Sequence, residues 1–256
     1  MTPEISVVIP AYNEARYLPR LLDGIDEARR RYRRGREAVE VIVADNNSTD
    51  DTARIAAERG CRLVSEPERR IASVRNAGGR AARGKLLAFI DADTQVHPET
   101  FNAMDGAFAR GDLVIAVSGA APERRSLGID ACWVVLGFFT TVMRFRGVPR
   151  SLAECLPAGV VCCRREEWEA IGGYREGMLF AEDVLLILDL KRAGRRRGLR
   201  SGYLRDAPAI ASARKFDQHG DWHYLTFFTR LVFLALYPPA ARRFAHWYWY
   251  GKQRST

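Results

Sequence analysis

Cysteine is scarce and odd in number: Cys61, Cys132, Cys155, Cys162 and Cys163 are the five in a chain of 256 residues, and two of them are adjacent. Such a pattern predicts no disulfide framework, which makes a reducing, cytoplasmic compartment the default. Long hydrophobic runs are missing too. The longest near-apolar stretches, residues 131–143 and 231–241, fall short of the ~20 residues that span about 30 Å of hydrocarbon, so no transmembrane helix is expected. Met1-Thr2-Pro3-Glu4 runs straight into a strand-like stretch without a basic n-region or cleavage site, so no secretory signal is expected either. There is no collagen period, heptad array or internal repeat, which excludes fibrous and solenoid classes. No G-x-G-x-x-G follows a strand, which speaks against a dinucleotide site.

The chain does have apolar residues (47%) in globular proportion, and a basic tilt, with 40 Lys and Arg against 31 Asp and Glu and a formal charge of +9. Excess positive charge points to polyanions of several kinds: nucleic acid, an anionic membrane or phosphorylated substrates. Its densest runs, Arg29-Arg30-Arg31 through Arg36 and Arg195-Arg196-Arg197, read as solvated helix ends and loops.

Periodicity organises the first half. Ile5–Ile9 predicts a strand stopped by Pro10, and Tyr17, Leu18, Leu21, Leu22 and Ile25 recur at helical spacing. Val39–Val43 predicts a second strand; the Ser, Thr and Asp of the following run to Asp50 can cap a helix reaching Arg59, which Gly60 stops. Arg62–Val64 is a third strand, Ile71–Arg83 a small-residue helix closed by Gly84, and Leu86–Ile90 a fourth, apolar strand delivering Asp91-Ala92-Asp93. Apolar strands alternating with helices predict βαβ units and a parallel sheet, with ligands beyond the strand carboxyl ends. The second half predicts strands at Leu113–Val117 and Gly159–Cys163, an apolar helix at Ile129–Phe145 and a helix from Glu182 to Arg192 ending at Gly194.

Asp91-Ala92-Asp93 sets two carboxylates on a strand-end loop, and hard oxygen ligands of that kind suit Mg2+ or Mn2+ with the other positions filled by water and a diphosphate. The segment from Gly79 to Lys85 imitates a phosphate loop but has Leu86 where Ser or Thr would hold Mg2+, and its order is helix then strand; Gly78 and Gly79 read as close-packing residues. Glu182-Asp183 opens a helix, either as favourable charge at its positive end or as a general base. Asp45 is a turn residue or an acceptor for an imide N–H and ribose hydroxyls. His219 and His223 are four apart, a metal-ligand spacing without a supporting Cys or H-E-x-x-H.

Taken in order, Val7-Val8-Ile9-Pro10-Ala11-Tyr12-Asn13-Glu14, Val43-Ala44-Asp45-Asn46-Asn47-Ser48-Thr49-Asp50, Arg75-Asn76-Ala77-Gly78, Phe89-Ile90-Asp91-Ala92-Asp93 and Gly172-Gly173-Tyr174 with Glu182-Asp183 resemble the family 2 glycosyltransferases of GT-A fold. The resemblance implies an α/β fold with a mostly parallel central sheet flanked by helices, and inverting, metal-dependent sugar transfer from a nucleotide-diphospho-sugar, UDP-sugar favoured, to an acceptor hydroxyl. It implies that Pro10, Ala11, Tyr12, Glu14, Asp45, Arg75, Asp91 and Ala92 bind the nucleotide. Asp93 would hold Mn2+ or Mg2+, with Asp91 and His219 as further candidates. Asp183 would be the base, with Glu182 beside it. A nucleotidyltransferase shares acidic metal loops but would want a Lys- and Gly-rich signature near the first strand. A nucleic-acid binder would leave the carboxylate loops without purpose, so no nucleic-acid partner is expected.

With no Gly/Ser-rich linker, one compact domain is expected, with a nucleotide-sugar lobe (1–110), an acceptor lobe (111–215) and a helical carboxyl-terminal segment (216–256). Eleven of the 26 aromatics fall in residues 221–250, beside Arg242-Arg243. That chemistry fits a helical cover, a homodimer contact or peripheral attachment to the cytosolic face of a membrane, the last implying a lipid-linked acceptor.

Overall fold

The computed structural model describes residues 2–135, 158–177 and 182–222. The chain divides into two units, Met1–Ala121 with Pro157–Ile210 and Pro122–Leu156 with Ala211–Thr256. The first opens with β1 (Ile5–Ala11), α1 (Leu18–Arg31), a 3-10 turn (Arg36–Ala38), β2 (Val39–Asp45), α2 (Thr52–Glu58) and β3 (Arg62–Ser65). There follow α3 (Ile71–Ala81), β4 (Leu86–Phe89), α4 (Thr100–Phe108) and β5 (Leu113–Pro122). After the undescribed stretch come β6 (Ala158–Arg164), α5 (Arg165–Ala170), α6 (Glu182–Arg196) and β7 (Arg200–Ala211).

Among the described residues seven strands form one sheet in the order β3-β2-β1-β4-β6-β5-β7. β1 pairs in parallel with β2 and β4, and β2 with β3, whereas β6 runs antiparallel to both β4 and β5. Every residue of β1 is buried, as a strand covered on both faces requires. Leu18, Leu21, Leu22, Ile25 and Ala28 make the buried face of α1 and join Phe101 and Met104 of α4 in the main core. Ala11 of β1 stands opposite Asp45 of β2, and the Ile90 amide donates to the Val8 carbonyl, so the three motif loops leave the same edge of the sheet.

Several glycines are there for close approach. A methyl on Gly78 would collide with Val8 and one on Gly79 with the Trp168 ring, which matches the close-packing reading. Gly84 does not cap α3, which ends at Ala81 with Ala82 as its C-cap; a Cβ at Gly84 would lie 2.6 Å from the Ser6 nitrogen, and the Gly84 amide donates to Ser6 Oγ. Nor does Gly194 end its helix. α6 continues to Arg196 and Gly198, at φ +75, follows it, while Gly194 lets the helix approach Val114 of β5. β7 has no counterpart in the sequence reading: it is a twelve-residue sheet-edge strand in which only Leu204, Ala207 and Ala209 are buried, and its Pro208 is tolerated at an edge.

In the second unit, residues 127–135 are helical and α7 spans Arg214–His219. Ile129, Cys132 and Phe216 pack together, and Arg124 Nη2 donates to Asp217 Oδ1 at 2.8 Å and Asp221 Oδ1 at 2.6 Å. The remainder of the expected 129–145 helix, His223 and the aromatic segment beyond it lie outside the described residues. Among the described residues no helix is long and apolar enough to cross a membrane, and Cys61, Cys132, Cys162 and Cys163 are free thiols.

Gly194→Ala is expected to lower stability by about 1–3 kcal/mol, because its Cβ would stand 2.7 Å from Val114 Cγ1 and overpacking outweighs the gain in helix propensity. Gly106→Ala, in α4 with no described residue within 4 Å of its Cβ, should instead stabilise by roughly 0.5–1 kcal/mol. Denaturant unfolding of the two variants checks the opposite signs.

Candidate active site

The loop after β1 is pinned to the loop after β2 by side chains that take up its backbone amides. Asn13 N–H donates to Ser48 Oγ at 3.0 Å, Glu14 N–H to Thr52 Oγ1 at 2.8 Å and Ala15 N–H to Asp50 Oδ2 at 3.0 Å. In return Thr49 N–H donates to Asn13 Oδ1 at 2.8 Å. Asn13 and Asn47 adopt positive φ (+52 and +56), a conformation that Asn tolerates better than most residues. Ser48 and Thr49 therefore stitch two loops together instead of capping α2, whose N-cap Asp51 makes no side-chain cap bond. This network escaped the sequence reading; its only local trace is the cluster of Asn, Ser, Thr and Asp itself.

Pro10 and Ala11 end β1, and Tyr12 follows with the Arg69 guanidinium stacked 4.0 Å from its ring centre. Glu14 is buried. Asp45 ends β2; its Oδ2 accepts from Ser48 N–H at 3.2 Å, whereas Oδ1 is buried and meets no donor among the described residues. Asn46 turns away, donating from Nδ2 to the Glu66 and Glu68 carbonyls and so fixing the loop after β3.

At the end of β4, Asp91 is 54% exposed, Ala92 is buried and Asp93 is half-buried on a turn closed by Thr94 N–H donating to the Asp91 carbonyl. Gln95 pairs with Ile210 of β7, so the loop is held from both ends. Among the described residues no three His, Cys, Asp or Glu side chains form a metal cage. His219 lies in α7 of the second unit.

Arg75 of α3 is the meeting point of the site. Its side chain is 5% exposed, and Nη2 donates to Asp91 Oδ1 at 2.6 Å. At the other end Nη1 donates to Glu182 Oε1 at 3.0 Å and, in a short contact, to Asp183 Oδ1. Tyr174 lies beneath, its ring centre 5.3 Å from the guanidinium carbon. The neighbouring Asn76, rotated about a quarter turn on the helix, holds Tyr174 through both backbone groups: Nδ2 donates to its carbonyl at 2.9 Å and Oδ1 accepts from its amide at 2.8 Å. Gly172 and Gly173 have φ of +78 and +75, and a Cβ on Gly173 would meet Asn76 Oδ1 at 2.6 Å, so both conformation and space demand glycine there.

The electrostatics follow from burial. Glu182 is raised to about 7, above all by desolvation, which Asp183 reinforces and the Arg75 charge opposes. Burial alone would pull the Arg75 guanidinium down, but Asp183 and Asp91 outweigh it and hold it firmly charged. Burial likewise pushes the Tyr174 phenol well above its ordinary range.

Known proteins share this arrangement of elements. The family model for glycosyl transferase family 2 matches residues 6–130. An uncharacterised glycosyltransferase of Mycobacterium tuberculosis is 40% identical over 89 residues, covering 35% of this chain and 36% of that protein. The chain thus spans about a third of the length of the curated relatives it matches. Staphylococcus aureus TarS 1-349, solved in complex with UDP-GlcNAc, superposes with a TM-score of 0.60 at 18% identity, over 82% of this chain and 58% of that one. The mannosyltransferase PcManGT of Pyrobaculum calidifontis, solved with GDP-Man and Mn2+, gives 0.58 at 22% identity, over 82% and 57%. The segment that holds the first four motif loops thus matches glycosyl transferase family 2, and the fold is that of the GT-A glycosyltransferases.

Proposed function

We propose that the chain transfers a sugar from a nucleotide-diphospho-sugar, a UDP-sugar by preference, to an acceptor hydroxyl with inversion at the anomeric carbon. The observation that carries this reading is the convergence of Asp91, from the strand-end loop, with Glu182 and Asp183, from the start of α6, on the one guanidinium of Arg75. A donor loop and a base are thereby adjacent. Pro10, Ala11, Tyr12, Glu14, Asp45, Asp91 and Ala92 take the nucleoside; Arg75, expected in the same set, has both terminal nitrogens on carboxylates and is read instead as holding the site together. Asp45 Oδ1, a buried acceptor that meets no donor among the described residues, suits the imide N–H of a pyrimidine or purine base.

Asp183 takes the acceptor proton as the hydroxyl oxygen attacks the anomeric carbon, and the bond to the diphosphate breaks on the opposite face. At 35% exposure this carboxylate can reach an incoming hydroxyl while α3 and α6 hold its position. The donor set fits a divalent cation: hard carboxylate oxygens on a rigid turn, too few to cage an ion alone, match an ion completed by diphosphate and water. Asp93, with Asp91 beside it, would hold Mn2+ or Mg2+, which when bound offsets the charge on the departing nucleoside diphosphate. The Mn2+ in the mannosyltransferase of like fold supports the same reading.

Three outcomes are expected. Asp183→Asn lowers turnover by about 10²-fold or more while donor affinity stays near that of the parent, as steady-state kinetics and calorimetry would show; near-parental turnover would move the base elsewhere. Asp93→Ala abolishes the Mn2+-dependent part of UDP or GDP binding and leaves the thermal transition intact. Glu182 titrates at about 7 when folded against about 4.5 when unfolded, so its contribution to stability is complete below the lower value and lost as pH rises through the upper one. Unfolding of the parent and of Glu182→Gln across that window should show the parent losing stability more steeply.

A further inference from the structure

We propose that Arg75 is a positioning residue for the base: it fixes the Asp183 carboxylate for proton transfer and ties it mechanically to Asp91 at the donor end. The inference rests on the reading of Asp183 as base and goes beyond it by assigning Arg75 to the acceptor side of the reaction.

The geometry is specific to a guanidinium. Its two terminal nitrogens face opposite ends of the site, Nη2 toward Asp91 and Nη1 toward Glu182 and Asp183, and one planar fork spans both. Its position is determined by more than those contacts. It is rooted in α3, rests over the Tyr174 ring, and that ring is held by Asn76 from the adjacent position of the same helix. Nε is buried and meets no acceptor among the described residues, so the head group is held through its two ends and the ring below.

Asp183 stands at the first turn of α6, where a carboxylate without such a partner would sample several rotamers. Arg75 takes its Oδ1, which restrains the carboxyl group and leaves proton transfer to Oδ2. Glu182, 13% exposed and sharing the same nitrogen, restrains that end further. A base held in productive geometry gains rate through orientation, and misplacement by about 1 Å can cost on the order of 10²-fold. A residue acting in this way alters turnover chiefly through Asp183, whereas a direct diphosphate contact would alter donor binding above all.

The test is a double-mutant cycle on the full chain. Arg75→Lys retains one charge but cannot span both ends, and should lower kcat by about tenfold or more. Its donor KM, and UDP or GDP affinity by calorimetry, should stay within about threefold. In an Asp183→Asn background the same substitution should have almost no further effect on kcat, because the group it positions is already disabled. Tyr174→Leu, which keeps the guanidinium and removes the ring beneath it, is the second arm and should give a smaller loss of the same kind. A cooperative thermal transition certifies each variant, and either folded variant decides. Weakened UDP or GDP binding with kcat retained, or additive losses in the cycle, would overturn the proposal; so would failure of both variants to fold, which would make Arg75 a structural ion. If Asp183→Asn alone leaves turnover intact, the base assignment fails instead, which separates the two ideas.

Discussion

A guanidinium buried to 5% exposure and shared by three carboxylates is the interaction on which the site depends. Removing two or more charges from water is costly, and the cost is recovered only where geometry and hydrogen bonding are nearly complete. Here both terminal nitrogens are used, an aromatic face lies beneath, and one partner, Glu182, reduces the negative excess by binding a proton up to about pH 7. Taking away Arg75 would leave Glu182 buried without its cation, whereas Asp91 and Asp183 are partly exposed and would be screened by water. Because the members come from α3, the loop after β4 and α6, this one cation also fixes how those elements meet.

The sheet makes that convergence possible. β1, β2 and β4 run in parallel at close register, so their loops issue from a single edge, where α/β folds bind ligands. Loops are entropically expensive to order, at about 1–2 kcal/mol per residue. The exchange of hydrogen bonds between Asn13–Ala15 and Ser48–Thr52 meets that cost by satisfying backbone amides with short side chains. Asn13 and Asn47, held at positive φ, are where the two loops turn sharply enough to face one another.

The arginine surplus resolves into local pairs over much of the surface. Arg31 pairs with Glu27, Arg34 with Asp105, Arg54 with Asp51 and Glu58, and Arg175 with Asp189. Exposed pairs of this kind contribute little each, about 0–1 kcal/mol. The runs at Arg29–Arg31 and Arg195–Arg196 fall in the last turns of α1 and α6, where cations complement the helix dipole. Arg75 differs from all of these through burial and not through charge.

Much of the first half was legible in the sequence, because its information is local. Apolar runs such as Ile5–Ile9 have strand character whatever surrounds them, and Leu18, Leu21, Leu22 and Ile25 declare a helix face by spacing alone. The carboxylates at 45, 91, 93 and 183 stood out for the same reason, each at an element's end. Tertiary structure decided what spacing cannot carry. Gly194 read as a helix stop because glycine usually is one, yet Val114 of a distant strand explains it. β7, with charges and Pro208, lacks any strand period and exists because the sheet edge accepts it. Arg75 is separated from its three carboxylate partners by 16, 107 and 108 residues, and no local pattern encodes which anion a guanidinium will meet across such distances. The sequence by itself determined the elements and the chemical groups they present; only the folding of α3, β4 and α6 against one another decided that a single buried cation would join them.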